Sequence, residues 1–414
     1  DANSGTPLYK QLHAQLRRWV ESGVLAKGQK LPSTRQLAGW IGLNRTTVSA
    51  AYSLLEAEGL IQGHVGRGSF VTGGPSARED GFDWDELLSE ADRYLPPLAA
   101  TPLPAGAQIS FASSRPSESL FPVEEVRRAC EEVLSGAQAP WVLQLGSPQG
   151  YGPLLERLLA QARQEGLAGP QDDVLITSGC QQGLDLVQRV LVRPGDAVVV
   201  EDPVYPGVRN LFLRAGARVV GVPVGPQGME PDQLERALSR EKARLLVVTP
   251  SFQNPTGTTI PPAVRQAILD VARSHGTVVV ENDIYGELRY EGGPIPPLRR
   301  FAGGQDVVLL RSFSKIAFPG LRVGWVVAPR ALVARMMAAK QWTDLHTDQL
   351  SQAALQRFAE SGRLEAHRRR IVGAGRERLA AAISACEKYL PAGTRFTRPQ
   401  GGMSIWVRLP EPLD

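Results

Sequence analysis

Cysteine is scarce in this chain, with three among 414 residues. Cys130, Cys180 and Cys386 are widely spaced and odd in number. That excludes a disulfide framework and a cysteine-rich zinc site, and it suits a reducing cytoplasm. Histidine is scarce too, with five residues; His275 and His346 stand alone and receive no role, and no metal site is expected. No apolar run approaches the ~18 residues that a membrane helix needs, and no charged-then-apolar leader opens the chain. Neither a membrane nor secretion is therefore expected. No internal repeat is visible.

Charge of one sign is nearly absent as well, since the net charge is +4. What excess exists lies at one end. Residues 1–72 hold eight basic side chains (Lys10, Arg17, Arg18, Lys27, Lys30, Arg35, Arg45, Arg67) against four acidic ones (Asp1, Glu21, Glu56, Glu58). A basic head on a neutral body points to a polyanion partner for the head. Leu8, Leu12, Leu16, Trp19 and Val20 predict an amphipathic first helix. A second follows Ser33 as N-cap, with Leu37, Ala38, Trp40 and Ile41 as its apolar residues. A third starts near Arg45, buries Val48, Tyr52 and Leu55, and ends at Gly59. Leu60-Ile61 and Phe70-Val71, around Gly63, Gly66 and Gly68, predict a β-hairpin.

Residues 73 to about 107 are rich in Gly, Pro and Ala and predict a linker. Trp84, Leu87, Leu88, Ala91 and Leu95, behind Asp83 and Glu86, predict a short helix inside it. From residue 108 strands and helices alternate. Strands are expected at Val174–Thr177, Ala197–Val200, Leu245–Val248, Thr277–Val280, Val307–Leu310 and Val323–Val327, with a last one at Met403–Val407. Helices are expected at 180–191, 231–240 and 262–274. The class is α/β, with a doubly wound, mostly parallel sheet.

Lysine is the telling scarcity of the body. Beyond residue 72 the chain has Lys242, Lys315, Lys340 and Lys388, and Lys315 alone stands at a predicted strand end. Open α/β sheets bind ligands at the carboxyl ends of their strands. A lysine there can form a Schiff base, and nearby Arg322 can hold a phosphate. Ser312-Phe313-Ser314-Lys315 with Arg322 therefore points to pyridoxal phosphate. Tyr205, Asn254, Asp283 and Tyr285 follow other strands at the same edge.

Leu31-Pro32-Ser33-Thr34-Arg35, Asn44-Arg45-Thr46-Thr47-Val48 and the Gly66-Arg67-Gly68-Ser69-Phe70-Val71 wing resemble the winged helix-turn-helix of the GntR regulators. The resemblance implies that the third helix enters the major groove of double-stranded promoter DNA. Asn44, Arg45, Thr46 and Thr47 would lie at its amino end, Arg35 on backbone phosphate, and Arg67 and Gly68 at the wing.

The body resembles fold-type I, aspartate-aminotransferase-like enzymes. That resemblance implies that Lys315 carries pyridoxal 5'-phosphate as a Schiff base. Gly179, Cys180 and Gln181 would meet its phosphate with backbone N–H groups, completed by Ser312, Ser314 and Arg322. Asn254 and Tyr285 would bond the ring hydroxyl, and Tyr205 would stack on the ring. In many of these enzymes the ring-nitrogen carboxylate lies three residues before the tyrosine, where this chain has Asn282. Asp283, two residues before it, is the carboxylate chosen here. Many relatives also have a tyrosine where Leu145 stands. A small domain is expected from about residue 345, incomplete at Asp414 and without the arginine that binds a substrate carboxylate.

Head (1–72), linker (73–107) and body (108–414) in this order resemble the MocR/GabR branch of the GntR regulators. The resemblance implies a head-to-tail homodimer and a DNA-binding switch that senses an amino compound or pyridoxal phosphate itself. The alternative is a working aminotransferase acting on an amino acid and a 2-oxo acid.

Overall fold

The computed structural model describes residues 5–64, 68–72, 111, 114–304 and 306–411. They form two units, a head and a body, divided within the stretch 73–110. The linker helix expected over 83–95 lies outside the described residues, as do Gly66 and Arg67.

In the head, α1 spans Leu8–Glu21, α2 Thr34–Ile41 and α3 Arg45–Ala57. Ser33 caps α2: its hydroxyl accepts the Gln36 N–H at 3.2 Å, while Gln36 accepts the Ser33 N–H at 3.0 Å. This reciprocal pair satisfies two orphan donors at the helix start. Gly42 ends α2 at φ 68°. That left-handed step is cheap for glycine and lets α3 begin three residues later. Val48, Tyr52 and Leu55 pack with Leu16, Val20 and Leu31 as the core. The Tyr52 hydroxyl donates to the Pro32 carbonyl at 2.9 Å, tying α3 to the entry of α2. The hairpin forms from β1 (Ile61–His64) and β2 (Gly68–Val71), with Ile61 opposite Val71.

Three apolar residues expected on buried helix faces are exposed: Trp19, Trp40 (71 %) and Ile41. Helix α2 has eight residues and buries only Ala38 fully. So short a helix offers a stripe narrower than its apolar content.

The body is built on an eight-stranded sheet. Its strands are β3 (Asp172–Thr177), β4 (Ala197–Asp202), β5 (Arg218–Gly225), β6 (Gly228–Met229), β7 (Leu245–Val248), β8 (Val278–Asn282), β9 (Val307–Ser312) and β10 (Gly324–Pro329). Their order is β3-β10-β9-β8-β7-β4-β5-β6. The run β5-β4-β7-β8-β9 is parallel, and β10 is antiparallel to both β3 and β9. Strands β5 and β6 were not expected from the sequence. The Met403–Val407 strand is corrected: β12 is Val407–Arg408, paired with β11 at Arg395–Phe396.

Both faces of the sheet are covered, as the unbroken apolar runs require. On one face Val200, Val280, Val308 and Leu310 pack against Leu184 and Val187 of the helix Cys180–Leu191. On the other, Leu309 and Val327 pack with Leu154 and Leu158 of the helix Gly152–Gln164, and Phe358 joins from Gln349–Glu360. A long helix, Arg363–Tyr389, follows.

Replacing Leu55, wholly buried in the head, with alanine should cost the head about 2–5 kcal/mol. Tyr52→Phe should cost about 1 kcal/mol through the lost bond to Pro32. Urea unfolding of both variants checks these values.

Candidate cofactor site

The site begins where β3 hands over to its helix. Thr177 ends the strand, and Gly179 (φ 81°, ψ 170°) is the N-cap of Cys180–Leu191 without a capping side chain. The first-turn N–H groups therefore present positive charge at the strand edge. A Cβ on Gly179 would collide with the Arg322 guanidinium, and a Cβ on Gly324 would come within 3.0 Å of the Gly179 backbone. Both glycines are required by close approach: Arg322 packs over Gly179, and the Gly179 backbone packs over Gly324.

Arg322 sits at φ 54° and donates to the Ser178 carbonyl (3.2 Å), the Pro319 carbonyl (3.2 Å) and Ser314 Oγ (3.4 Å). Its partners are neutral, and no carboxylate pairs with it among the described residues. Ser312 Oγ donates to Ser314 Oγ at 2.8 Å and accepts the Ser314 N–H at 3.0 Å. Uncapped N–H groups, two hydroxyls and a free guanidinium make a cradle for a dianion. Cys180 lies at its helix start. Burial pushes its thiol up, so it is no thiolate nucleophile.

Lys315 lies in the loop between β9 and β10. Its Nζ donates to the Ser114 carbonyl at 2.6 Å and lies 5.7 Å from the centre of the Tyr285 ring. Burial, then the Arg322 charge, lowers its pKa from the ordinary lysine value. A more readily neutral amine is what attack on an aldehyde needs. Asn254 Nδ2 donates to the Tyr285 hydroxyl at 3.3 Å. Burial pushes the Tyr285 phenol up to about 12, opposed by that bond. Tyr205 is 42 % exposed on the open side, with its ring lying over Gly207. The Gln181 side chain reaches the Gly207 carbonyl at 3.3 Å.

Asp283 lies in an ion pair. Its carboxylate accepts from Arg311 Nε at 2.9 Å, and Arg311 Nη1 also bonds Glu165 at 2.7 Å. Side chains alternate across a sheet. Arg311 shares a face with Leu309, whereas Leu310 and Ser312 lie on the cradle face. Asp283 is thus spent on the face away from the cradle. Asn282, paired in register with Leu310, follows Val280 on the cradle face. It is 7 % exposed, and its Oδ1 has no hydrogen-bond partner. An unsatisfied buried polar atom costs about 1–3 kcal/mol, so it marks a place for a ligand group.

In the head, Arg35, Arg45 and Thr46 are exposed and Thr47 is half-buried, all near helix amino ends. Asn44 is also exposed, but its side chain is the α3 cap, accepting the Thr46 N–H at 3.2 Å. Gly68 (φ 102°) opens β2, and a Cβ there would come within 3.0 Å of the Lys30 side chain. Lys30, exposed beside the wing, joins the basic surface that sequence reasoning assigned to others.

Comparison with known proteins agrees with this geometry. Residues 107–413 match the model of aminotransferase class I and II, and residues 8–71 that of the bacterial regulatory proteins of the gntR family. The chain belongs to the class I and II aminotransferase family, with a gntR-family head. The uncharacterized HTH-type transcriptional regulator YjiR of Escherichia coli (strain K12) is 30 % identical, over 98 % of this chain and 87 % of its own. The probable rhizopine catabolism regulatory protein MocR of Rhizobium meliloti is 29 % identical, over 100 % and 84 %. Among solved structures, LysN, the alpha-aminoadipate aminotransferase of Thermus thermophilus complexed with N-(5'-phosphopyridoxyl)-L-leucine, matches with TM-score 0.73. It is 36 % identical and covers 80 % of this chain and 84 % of its own.

The cofactor of this aminotransferase fold is pyridoxal 5'-phosphate, and the residues present fit it. The cradle suits the phosphate, Lys315 the aldehyde, and the Asn254–Tyr285 pair the ring hydroxyl. Two supports escaped the sequence reading. Lys340, wholly buried, bonds Asp344 at 2.6 Å, and Asp344 accepts from Gln182 (2.6 Å) and Ser178 Oγ (3.3 Å). Arg265, also buried, donates to the Pro250 carbonyl (2.9 Å) and Ser251 Oγ (2.8 Å), fixing the loop that carries Asn254. Neither stands out in a sequence, because a lone buried cation looks like a surface one.

Gly179→Ala should abolish cofactor retention, because the new methyl meets Arg322 and the position is strained at positive φ. Absorbance of the protein after dialysis against cofactor-free buffer checks this.

Proposed function

We propose that the chain is a DNA-binding transcriptional regulator whose aminotransferase-like body binds pyridoxal phosphate and senses an amino compound, or the cofactor itself. The observation that carries this reading is the joining of a helix with an exposed Arg45-Thr46 amino end to a body in which an uncapped helix start meets Arg322 and two serine hydroxyls. In the head, Arg45, Thr46 and Thr47 read base edges and phosphates, Arg35 holds backbone phosphate, and Arg67, beside Gly68 in the wing, enters the minor groove. Arginine to guanine is worth about 1–3 kcal/mol of discrimination.

In the body, pyridoxal phosphate supplies an aldehyde that captures amines and a ring that withdraws electrons from them. Lys315 holds the aldehyde end, Arg322 and the first turn of Cys180–Leu191 hold the phosphate, and Tyr205 covers the open side. Lys315 would hold its amine on the β9–β10 loop, so a change in what Lys315 contacts would be passed to that loop. Regulation requires that this ligand bind two body states with unequal affinity. A homodimer, head to tail, presents two heads to two half-sites.

The lowered pKa of Lys315 also suits a working aminotransferase. Steady-state assays over a panel of amino acids with 2-oxoglutarate separate the readings; rapid turnover would overturn the purely regulatory one. Lys315→Ala should lose the absorbance of lysine-bound cofactor, and retention of that band would show the assignment wrong. Arg45→Ala should weaken binding to a duplex selected from a random pool by about 1–3 kcal/mol. Its cofactor content should stay unchanged, as absorbance reads.

A further inference from the structure

We propose that Asn282, not Asp283, meets the ring nitrogen of the cofactor and leaves it unprotonated, so that the body captures amines without the electron sink that rapid transamination needs. The inference rests on the proposed cofactor-binding reading and deepens it.

The ring nitrogen lies para to the aldehyde carbon. With the aldehyde at Lys315 and the phosphate at Gly179 and Arg322, the nitrogen turns away from the lysine toward the end of a neighbouring strand. The polar group on the cradle face at the end of β8 is Asn282. Its buried amide oxygen has no protein partner. The two ends of an amide exchange by a flip about the terminal bond, so Nδ2 can be turned to an acceptor. A neutral pyridine nitrogen is such an acceptor.

An amide carries no charge, and so it cannot hold a proton on the ring as a carboxylate does. The carboxylate next in sequence is engaged elsewhere: Asp283 is salt-bridged to Arg311 at 2.9 Å. Lys315 and Arg322 beside the cradle are cationic and oppose a further positive charge. The nearest carboxylates, Asp283 and Asp344, are held in ion pairs by Arg311 and Lys340. Burial of Asn282 removes the water that could otherwise shield a pyridinium. The uncharged amide, with those carboxylates already paired, therefore favours the unprotonated ring.

The test uses the full chain loaded with cofactor carrying nitrogen-15 in its ring, read by solid-state NMR. The wild type should show the unprotonated pyridine signal near neutral pH. Asn282→Asp should move the signal to the protonated position, and Asp283→Asn should leave it in place. A protonated wild type, or a signal that moves in Asp283→Asn, overturns the proposal. Should Asn282→Asp not fold, the wild-type signal alone decides. Single-turnover spectra give a second reading. Asn282→Asp should convert bound cofactor with an amino acid at least about tenfold faster, one pKa unit's worth; an unchanged rate counts against the proposal. Failure of the wild type to retain cofactor would instead overturn the cofactor-binding reading, and this inference with it.

Discussion

The backbone of Gly324 lies against the backbone of Gly179, and that contact sets the geometry of the site. It is possible because β10 runs antiparallel between β3 and β9, with Gly324 opposite both Thr177 and Ser312. Three chain segments thus meet at one point of the sheet edge. The helix start at Cys180, the Ser312–Ser314 hydroxyl pair and Arg322 are brought together by strand register rather than by long side-chain reach. The loop carrying Lys315 is closed at its base, where the Phe313 N–H donates to the Val323 carbonyl at 3.1 Å. A lysine on such a loop has little freedom to leave the cradle.

The sheet also separates two kinds of chemistry. Its cradle face keeps Asn282 and Ser312 among apolar neighbours and hydroxyls. Its other face gathers Asp283, Arg311 and Glu165, with Glu287 near Arg368 of the long helix at 3.9 Å. Burial alone would raise the Asp283 pKa, and Arg311 opposes that rise. The Arg311 network thus holds its charges on one side, while on the cofactor side the Asp344 carboxylate is paired with Lys340.

Much of this was legible in the sequence where a residue type has one physical use. Ser33 as a cap and the buried stripe Val48-Tyr52-Leu55 both follow from local rules. So do the apolar runs of β7 and β9, since such strands are covered on both faces. The misses have equally physical causes. Apolar periodicity names a helix face but not its width, so Trp19 and Trp40 were counted among the apolar residues of helices whose buried stripe does not include them. Strand β5 buries only Val222 fully and is interrupted by Gly221 and Pro223, so it offers no continuous apolar run. Asp283 was chosen as a carboxylate two residues before Tyr285, with its register against Asn282 open. Counting alternate faces past the end of β8 points to Asn282 instead, although that count needs the strand boundary, which sequence places poorly. Buried cations such as Lys340 and Arg265 depend on partners distant in the chain, and no local pattern announces them.

The place of β10 has a consequence for how the molecule is made. Among the described residues, strand β3 is at the sheet edge and its one sheet neighbour is β10. During synthesis β3 must wait, unpaired, until almost the whole sheet-forming part of the chain has emerged. Contacts of such long sequence separation form slowly. The head, by contrast, is stitched by near neighbours and can fold as it leaves the ribosome. On the nascent chain, the surface suited to DNA is therefore complete before the cofactor cradle exists.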